Sequence, residues 1–280
     1  MSELTNTAFN QQVYKIHTGD SLLSQVEKVI LVLFPRGISV AGFSERGDLL
    51  TIRYNDYKSD LPTWILDFFE HQFLNDSMLS TPHKVVATFV ATEKSLLIPD
   101  TLYKKEEAEN WLRQLYFIES NEIISPYSVR EDNAYYMYAW PSAIQSLIGR
   151  YFTRAKILPF ASYQFYKPFK AECSMQCSIG SDEVYATLYK NRTLHWHQVF
   201  PYNNVEDIAF RLKHACKENG IDYGELSLQC TATNRNLSDL ITGLSQYFPD
   251  LKDGSSNVVS NDRSWTSTIY LLQQLYACAL

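Results

Sequence analysis

The sequence predicts an α/β protein of two tandem lobes, each a three-stranded meander followed by helix, strand and helix. Three observations carry that expectation. Apolar, β-branched runs separated by turn signals occur in threes over 29–54 and again over 173–200. Each set is followed by stretches whose apolar residues recur at helical spacing. The two meanders also align at an offset of 145 residues, which sets Ala41 with Ala186, Phe43 with Leu188 and Leu49 with Leu194. Recurrence of element order is the mark of duplicated architecture. The expected division is an N-terminal extension over 1–26, a first lobe over 27–168 and a second lobe over 169–280.

Residues 29–34 form an unbroken apolar run, the pattern of a strand buried on both faces. Pro35-Arg36-Gly37 turns the chain, strands at 38–44 and 49–54 complete the meander, and Pro62 opens a helix over 62–74. Strands at 84–90 and 95–98, a helix over 106–117, strands at 123–129 and 134–140, a helix over 141–151 and a strand at 156–158 complete the first lobe. Residues 159–170, with Pro159, Pro168 and several aromatics, read as a packed connector. The second lobe opens with strands at 173–179, 183–189 and 193–200, joined by turns at Gly180-Ser181-Asp182 and Lys190-Asn191-Arg192. A helix over 204–219 stopped by Gly220, a strand at 225–230 and helices over 237–248 and 264–279 follow.

Composition narrows the function classes. With 280 residues, 45% of them apolar and 20% charged, the chain has globular usage, which excludes disordered, collagen-like and coiled-coil readings. Lys and Arg total 25 against 31 Asp and Glu, and a net charge of −6 gives no bulk positive field for nucleic acid or anionic lipid. Glycine contributes 10 residues, about half its usual share, and glycine is what lets backbone approach phosphates closely. The five cysteines lack a small-scaffold spacing and residues 1–12 lack an apolar stretch, so a reducing cytoplasm is expected. The longest strongly apolar run has six residues, against the ~20 of a spanning helix, so no membrane insertion is expected. Cys278 is followed by two residues only and does not fit a prenylation box.

Particular segments carry a resemblance. In the first half they are the run from Val29 to Phe34, then Arg36-Gly37-Ile38-Ser39 and Gly47-Asp48-Leu49. In the second they are Asp182-Glu183-Val184-Tyr185-Ala186, the helix over 204–219, and Gln246-Tyr247-Phe248-Pro249 closing a helix. With the doubled element order, these resemble the actin-like ATPase fold, a tandem of ribonuclease-H-like halves. More narrowly, the chain resembles a bacterial family of about this length, described as having that fold and no assigned activity, a domain of unknown function. The resemblance spans most of 27–280.

It implies where a nucleotide would sit. Active members of the wider superfamily start each lobe with an Asp-x-Gly hairpin, in which a carboxylate organises magnesium and the attacking water while turn amides hold phosphates. The first such hairpin falls on Pro35-Arg36-Gly37, with proline in place of aspartate, and the second fits Ser178-Ile179-Gly180, with serine there. Asp182, two residues beyond, is either a displaced acid or an exposed turn residue. The adenosine-binding Gly-Gly pattern falls on 231–236, which has no glycine. Without the carboxylates, the electrostatic stabilisation of phosphoryl transfer is largely lost, so ATP hydrolysis is not expected. Gly37, Ser39, Gly180, Ser181 and Asp182 are the candidate residues of a vestigial nucleotide cleft.

Other constellations have structural readings. His195-Trp196-His197 puts two imidazoles on one strand face at a spacing that suits a metal, but no third ligand is near. A polar strand face with Leu194 and Trp196 turned inward is the preferred account. Cys173 and Cys177 share a strand face too far apart for one zinc ion, and read as core. Asp67, Glu70 and His71 read as a solvated helix face, and Lys104-Lys105-Glu106-Glu107 as a charged first turn. In Tyr135-Tyr136-Met137-Tyr138-Ala139-Trp140, alternation buries one aromatic row and leaves another for solvent or a partner, with core packing preferred.

The expectation is therefore a non-catalytic cytoplasmic protein-interaction module on an actin-like scaffold, whose interlobe cleft or exposed strand edge binds another protein or peptide. No catalytic or metal site and no cofactor are expected. The alternative is a divergent nucleotide-binding protein or weak ATPase, to which ATP and magnesium belong. Nucleic acid is not an expected partner, and homo-oligomerisation stays open.

Overall fold

The computed structural model describes residues 11–15, 22–57, 64–165, 171–252 and 262–280. By contact density the chain divides into two compact units: to the first belong the described residues of Met1–Ala91 and Pro141–Leu158, to the second those of Thr92–Trp140 and Pro159–Cys278.

In the first unit the strands are β1 (Gln11–Lys15), β2 (Lys28–Phe34), β3 (Gly37–Phe43), β4 (Leu49–Asp56), β5 (Val85–Val90) and, further along the chain, β9 (Lys156–Pro159). They form one sheet in the order β1-β4-β3-β2-β5-β9. The expected meander is antiparallel β2–β3–β4, and β5 joins β2 in parallel. Every residue of β2 after Lys28, and all of β3, is buried, as a continuous apolar run requires when both sheet faces are covered. β1 lies inside the segment read as an extension and pairs with β4. Its sequence, Gln-Gln-Val-Tyr-Lys, is too polar to announce a strand.

Helices α1 (Leu22–Gln25), α2 (Ile65–Asn75) and α4 (Ser142–Tyr151) complete the unit. The expected opening of α2 at Pro62 lies outside the described residues. Phe68, Phe69 and Phe73 bury one face of α2, and Phe73 meets Phe152, after α4, edge-on with ring centroids 4.9 Å apart. Two polar ties fix α2 to β4: Asn55 Nδ2 donates to Gln72 Oε1 at 2.7 Å, and Arg53 Nη1 to Asp76 Oδ1 at 2.6 Å.

The second unit repeats the strand order. β10 (Cys173–Ile179), β11 (Glu183–Lys190) and β12 (Thr193–Pro201) form the meander, and β13 (Ser227–Ala232) lies parallel to β10. The sheet order β12-β11-β10-β13 is thus that of β4-β3-β2-β5 in the first unit. One face carries Cys177, Ile179, Val184, Ala186 and Leu188 and packs against α5 (Val205–Glu218) and α6 (Ser238–Leu244). α5 starts where its cap predicts, with Asn204 Oδ1 accepting from Asp207 N at 2.8 Å, and ends before Gly220, whose φ of +62° glycine adopts without strain. The expected helix over 237–248 is shorter: a 3-10 turn, Arg235–Leu237, leads into α6, which ends at Leu244.

β6 (Ser95–Pro99), β7 (Glu122–Val129) and β8 (Ala134–Pro141) form a second sheet in the order β6-β8-β7, with α3 (Lys105–Leu115) packed on Ile98 and Met137. The aromatic run departs from simple alternation. Tyr136, Met137, Tyr138, Ala139 and Trp140 are all buried, and Tyr135 stacks on Tyr103 with centroids 3.8 Å apart, so neither face of β8 leaves an aromatic row for solvent. The described part of the expected connector is packed: Phe160–Phe165 is a 3-10 segment with all six residues buried, while 166–170 lie outside the described residues. α7 (Thr266–Ala279) closes the chain. Among the described residues, no helix is long and apolar enough to cross a membrane.

Two substitutions test these packing assignments by urea denaturation. Gly149 sits inside α4 with no atom within 4 Å of where a β-carbon on it would stand, so Gly149→Ala raises stability by up to about 1 kcal/mol through helix propensity. Leu212 is fully buried at the centre of the α5 interface, and Leu212→Ala lowers it by roughly 2–5 kcal/mol.

Candidate functional site

The second unit brings several of the predicted positions to one end of its sheet. The parallel register sets Ser178 beside Thr231, so the serine in the aspartate position and the start of the adenosine-turn segment are neighbours. Their hydroxyls lie 3.0 Å apart. Between them stands a group that sequence reasoning does not single out: the Tyr163 hydroxyl, from the connector, bonds to Ser178 and lies 3.2 Å from Thr231 Oγ1. Burial pushes the Tyr163 phenol up to about 12, so it stays protonated.

The next connector residue fixes the rest by elimination. Gln164 Nε2 donates to the Tyr185 carbonyl at 3.0 Å and to Ser178 Oγ at 3.2 Å, which turns Oε1 toward Thr187 Oγ1 at 2.8 Å. A carbonyl only accepts, so the amide cannot be reversed. The Thr187 hydroxyl therefore donates to Gln164 and accepts from His197 Nδ1, 2.8 Å away. His197 is thus a neutral Nδ1–H tautomer whose enclosed Nε2 has no hydrogen-bond partner among the described residues, with Tyr136 and Phe165 set edge-on at 5.2 Å. Burial holds its pKa down to about 3.

The hairpin itself is occupied by protein. Gly180 N–H donates to the Glu183 carbonyl at 2.8 Å, and the Glu183 Cγ and Oε1 lie 3.7 and 4.0 Å from where a β-carbon on Gly180 would stand. Glu183 is buried, and its Oε1 accepts from Tyr185 OH at 3.0 Å. Tyr202 OH donates to the Gly180 carbonyl at 2.7 Å. Ser181 is exposed and Asp182 half-buried at the turn, where the Asp182 carbonyl accepts from Tyr202 N at 3.3 Å. In the segment 231–236, Thr233 N donates to the Ile179 carbonyl and Asn236 N to Asn234 Oδ1, both at 3.0 Å. A phosphate arriving at Gly180 would meet a carboxylate and an amide already bonded. The turn therefore offers a phosphate no free amide at Gly180 and sets a negative charge beside it.

Gly37 and Ser39 belong to the first unit. Gly37 follows the Pro35–Arg36 turn, and a β-carbon on it would come within 2.8 Å of the Asn55 carbonyl and 3.0 Å of the Tyr54 hydroxyl. The missing side chain therefore makes room for β4. Ser39 is buried in β3 opposite Val32, its hydroxyl without a hydrogen-bond partner among the described residues. Asp56, which sequence reasoning misses because only strand register reveals it, stands opposite Gly37.

The remaining constellations resolve locally. Trp196 packs toward the α5 core, while a register shift at Leu188/Tyr189 leaves His195 exposed and sends His197 to the connector side, so the two imidazoles do not form a pair. Among the described residues, no group of three His, Cys, Asp or Glu is placed to hold a metal. Cys177 lies beside Cys230 in register, and that thiol contact, with burial, raises the Cys230 pKa. Glu70 accepts from Tyr151 OH at 2.8 Å and pairs with Arg150 at 3.2 Å, tying α2 to α4.

The comparisons bear on family and fold. The profile of the family described as "Protein of unknown function (DUF3822)" matches residues 17–251. No curated protein sequence matches the chain. Among solved structures, a Bacteroides thetaiotaomicron protein with an actin-like ATPase fold and unknown function is similar at TM-score 0.73 and 16% identity, over 94% of this chain and all 100% of that one. The PilM–PilN type IV pilus biogenesis complex is similar at TM-score 0.57 and 10% identity, over 91% of this chain and 99% of that one. The cytoplasmic domain of EpsL, an inner membrane component of the type II secretion system of Vibrio cholerae, gives 0.50 and 11%, over 89% and 94%. At such identities the likeness establishes the fold alone, and that fold is actin-like.

The network around Gln164 generates two predictions. Gln164→Leu strands the Tyr185 carbonyl and the Thr187 hydroxyl, and costs roughly 2–4 kcal/mol in urea denaturation. His197 has a lower pKa folded, about 3, than its ordinary 6.5, so the unfolded chain takes up the proton first as pH falls. Its contribution to stability is whole above pH 6.5 and is lost on acidification toward pH 3, by up to about 1.4 kcal/mol per unit. His197→Asn, which can still donate to Thr187 but does not titrate, therefore loses less stability between pH 6 and pH 4 than the unsubstituted protein, as read from urea midpoints.

Proposed function

The chain belongs to the DUF3822 family and has an actin-like ATPase fold, and from that premise we propose that it is a non-catalytic protein-interaction module built on a scaffold whose nucleotide hairpins are closed. One observation carries the reading: Tyr163 and Gln164 engage Ser178, the residue in the magnesium-organising position, inside a network that joins it to Thr231. Phosphoryl transfer depends on positioned charge and on amides free to bind phosphate. At Ser178 the charge is replaced by a bonded hydroxyl, and at Gly180 the amide is bonded within the turn.

Two similar structures support an interaction role by analogy of fold: one is the PilM–PilN complex, and the other, EpsL, is a component of a secretion system.

Isothermal titration with ATP and magnesium tests the proposal. No saturable binding is expected below about 1 mM, and no phosphate release above a protein-free blank. A micromolar dissociation constant abolished by Asp182→Ala, or phosphate release above the blank, overturns it in favour of a divergent nucleotide-binding protein.

A further inference from the structure

Beside its buried face, α5 has a second stripe. Phe210, Lys213, His214 and Lys217 recur at helical spacing on the surface, and with Asp222 and Tyr223 they line an open groove of about 470 Å³. Its apolar walls are unusual for a surface: Phe210 is 69% exposed and Tyr223 47%. Isolated exposed apolar residues need no explanation, but two aromatic faces flanking one concavity mark a binding surface.

The charges in the groove are unevenly committed. His214 Nε2 lies 3.1 Å from Glu218 Oε1, an ion pair when the imidazole is protonated, and Asp222 Oδ1 accepts a hydrogen bond from Gly224 N at 2.9 Å while keeping its charge. Among the described residues neither Lys213 nor Lys217 has a carboxylate partner. Lys213 Nζ is instead half-buried among rings, 4.6 Å from the centroid of Tyr223, 5.4 Å from Tyr247 and 5.7 Å from Phe248. These rings orient the ammonium and shield it from water, which strengthens its attraction for an incoming anion relative to an open lysine. The groove thus sets the ammonium groups of Lys213 and Lys217 beside a single lining carboxylate, Asp222, and walls Lys213 with aromatics.

We infer that this groove docks an acidic peptide segment of a partner protein, with a carboxylate paired to Lys213 and a neighbouring aromatic or large aliphatic side chain set against Phe210 and Tyr223. Charge complementarity selects the acid, and the ring-lined volume selects its apolar neighbour. The groove lies along the C-terminal half of α5, where the helix carbonyls present negative partial charge, and it contains no arginine fork. Both features disfavour a phosphate dianion more than a singly charged carboxylate. The inference rests on the interaction-module reading above. The ATP titration addresses that reading, whereas peptide binding addresses this groove.

The test is fluorescence anisotropy of the full chain with fluorescein-labelled Gly-Asp-Glu-X-Asp-Glu-Gly, where X is Phe, Trp or Leu. Saturable binding is expected with a dissociation constant below about 1 mM. Phe210→Ala and Lys213→Met are each expected to weaken it by about tenfold or more, as is glycine at X. Phe210 is exposed, so its truncation leaves the melting temperature unchanged and separates lost docking from lost folding. The inference falls if no peptide saturates, if the two variants bind as the unsubstituted chain does, or if a Lys-for-acid peptide binds as well. Vesicles of phosphatidylglycerol that compete the peptide off through the same two residues would also overturn it, in favour of a lipid surface.

Discussion

Inside the second unit, Gln164 must satisfy a carbonyl and two hydroxyls at once, and the layering around it follows from that demand. The strand alternation of β10 and β11 turns Ser178, Tyr185, Thr187 and Tyr189 to one face and Cys177, Ala186 and Leu188 to the other. The apolar face is covered by helices. The other carries hydroxyls that an apolar layer would leave unpaired, at roughly 1–3 kcal/mol each. The connector covers it with groups that match: Tyr163 meets Ser178, Gln164 meets Tyr185 and Thr187, and the Gln164 carbonyl accepts from Tyr189 OH at 2.9 Å. The sheet is thus buried on both faces by different chemistry, and the protonation of His197 is fixed at the far end of the same chain of bonds.

The two units share a strand order but close their first hairpins by different means. In the first, β4 itself fills the space at Gly37, through the Asn55 carbonyl and the Tyr54 ring. Asn55 is held in turn by Gln72 of α2, so the closure is backed by a packed helix. In the second, the hairpin closes on its own backbone, with Glu183 folded over Gly180. A ligand at Gly180 would have to break the Gly180–Glu183 bond and displace a buried carboxylate, and an anionic ligand would do so against that charge. On the reading proposed above, that closure is both steric and electrostatic and does not depend on the absent aspartates alone.

What is legible in the sequence follows from period and chain-local signals. Both meanders, α5 with its Asn204 cap and Gly220 stop, and the packed connector can be read because each depends on residues close in sequence. What stays hidden depends on register or on a distant segment. His197 looks like a solvent-facing partner of His195 because binary patterning assumes that a polar strand face meets water, whereas here a connector some thirty residues upstream covers it. Cys173 and Cys177 can be read as sharing a strand face too far apart to meet, but the thiol that does lie beside Cys177, that of Cys230, is set there only by the β10–β13 pairing. The candidate cleft is legible as positions but not as contents. Gly180, Ser181 and Asp182 can be named, while the groups that decide what happens there, Tyr163, Gln164 and Glu183, carry no local signature.

The scarcity of glycine takes a different meaning in this light. Of the described glycines only Gly47 and Gly220 have positive φ, one in a hairpin and one at a helix end. Gly37 and Gly180 do not have positive φ, and a β-carbon on them would meet the Asn55 carbonyl at 2.8 Å and the Glu183 carbonyl at 3.1 Å. Gly220, by contrast, stops α5 and releases the chain toward Asp222 and Tyr223, which return along the helix to face Phe210 and Lys213. An aromatic at Phe210 contributes nothing to the core beneath it. Its physical effect lies in the groove that this turn completes, so the backbone freedom that a nucleotide site would direct at phosphates here shapes a surface.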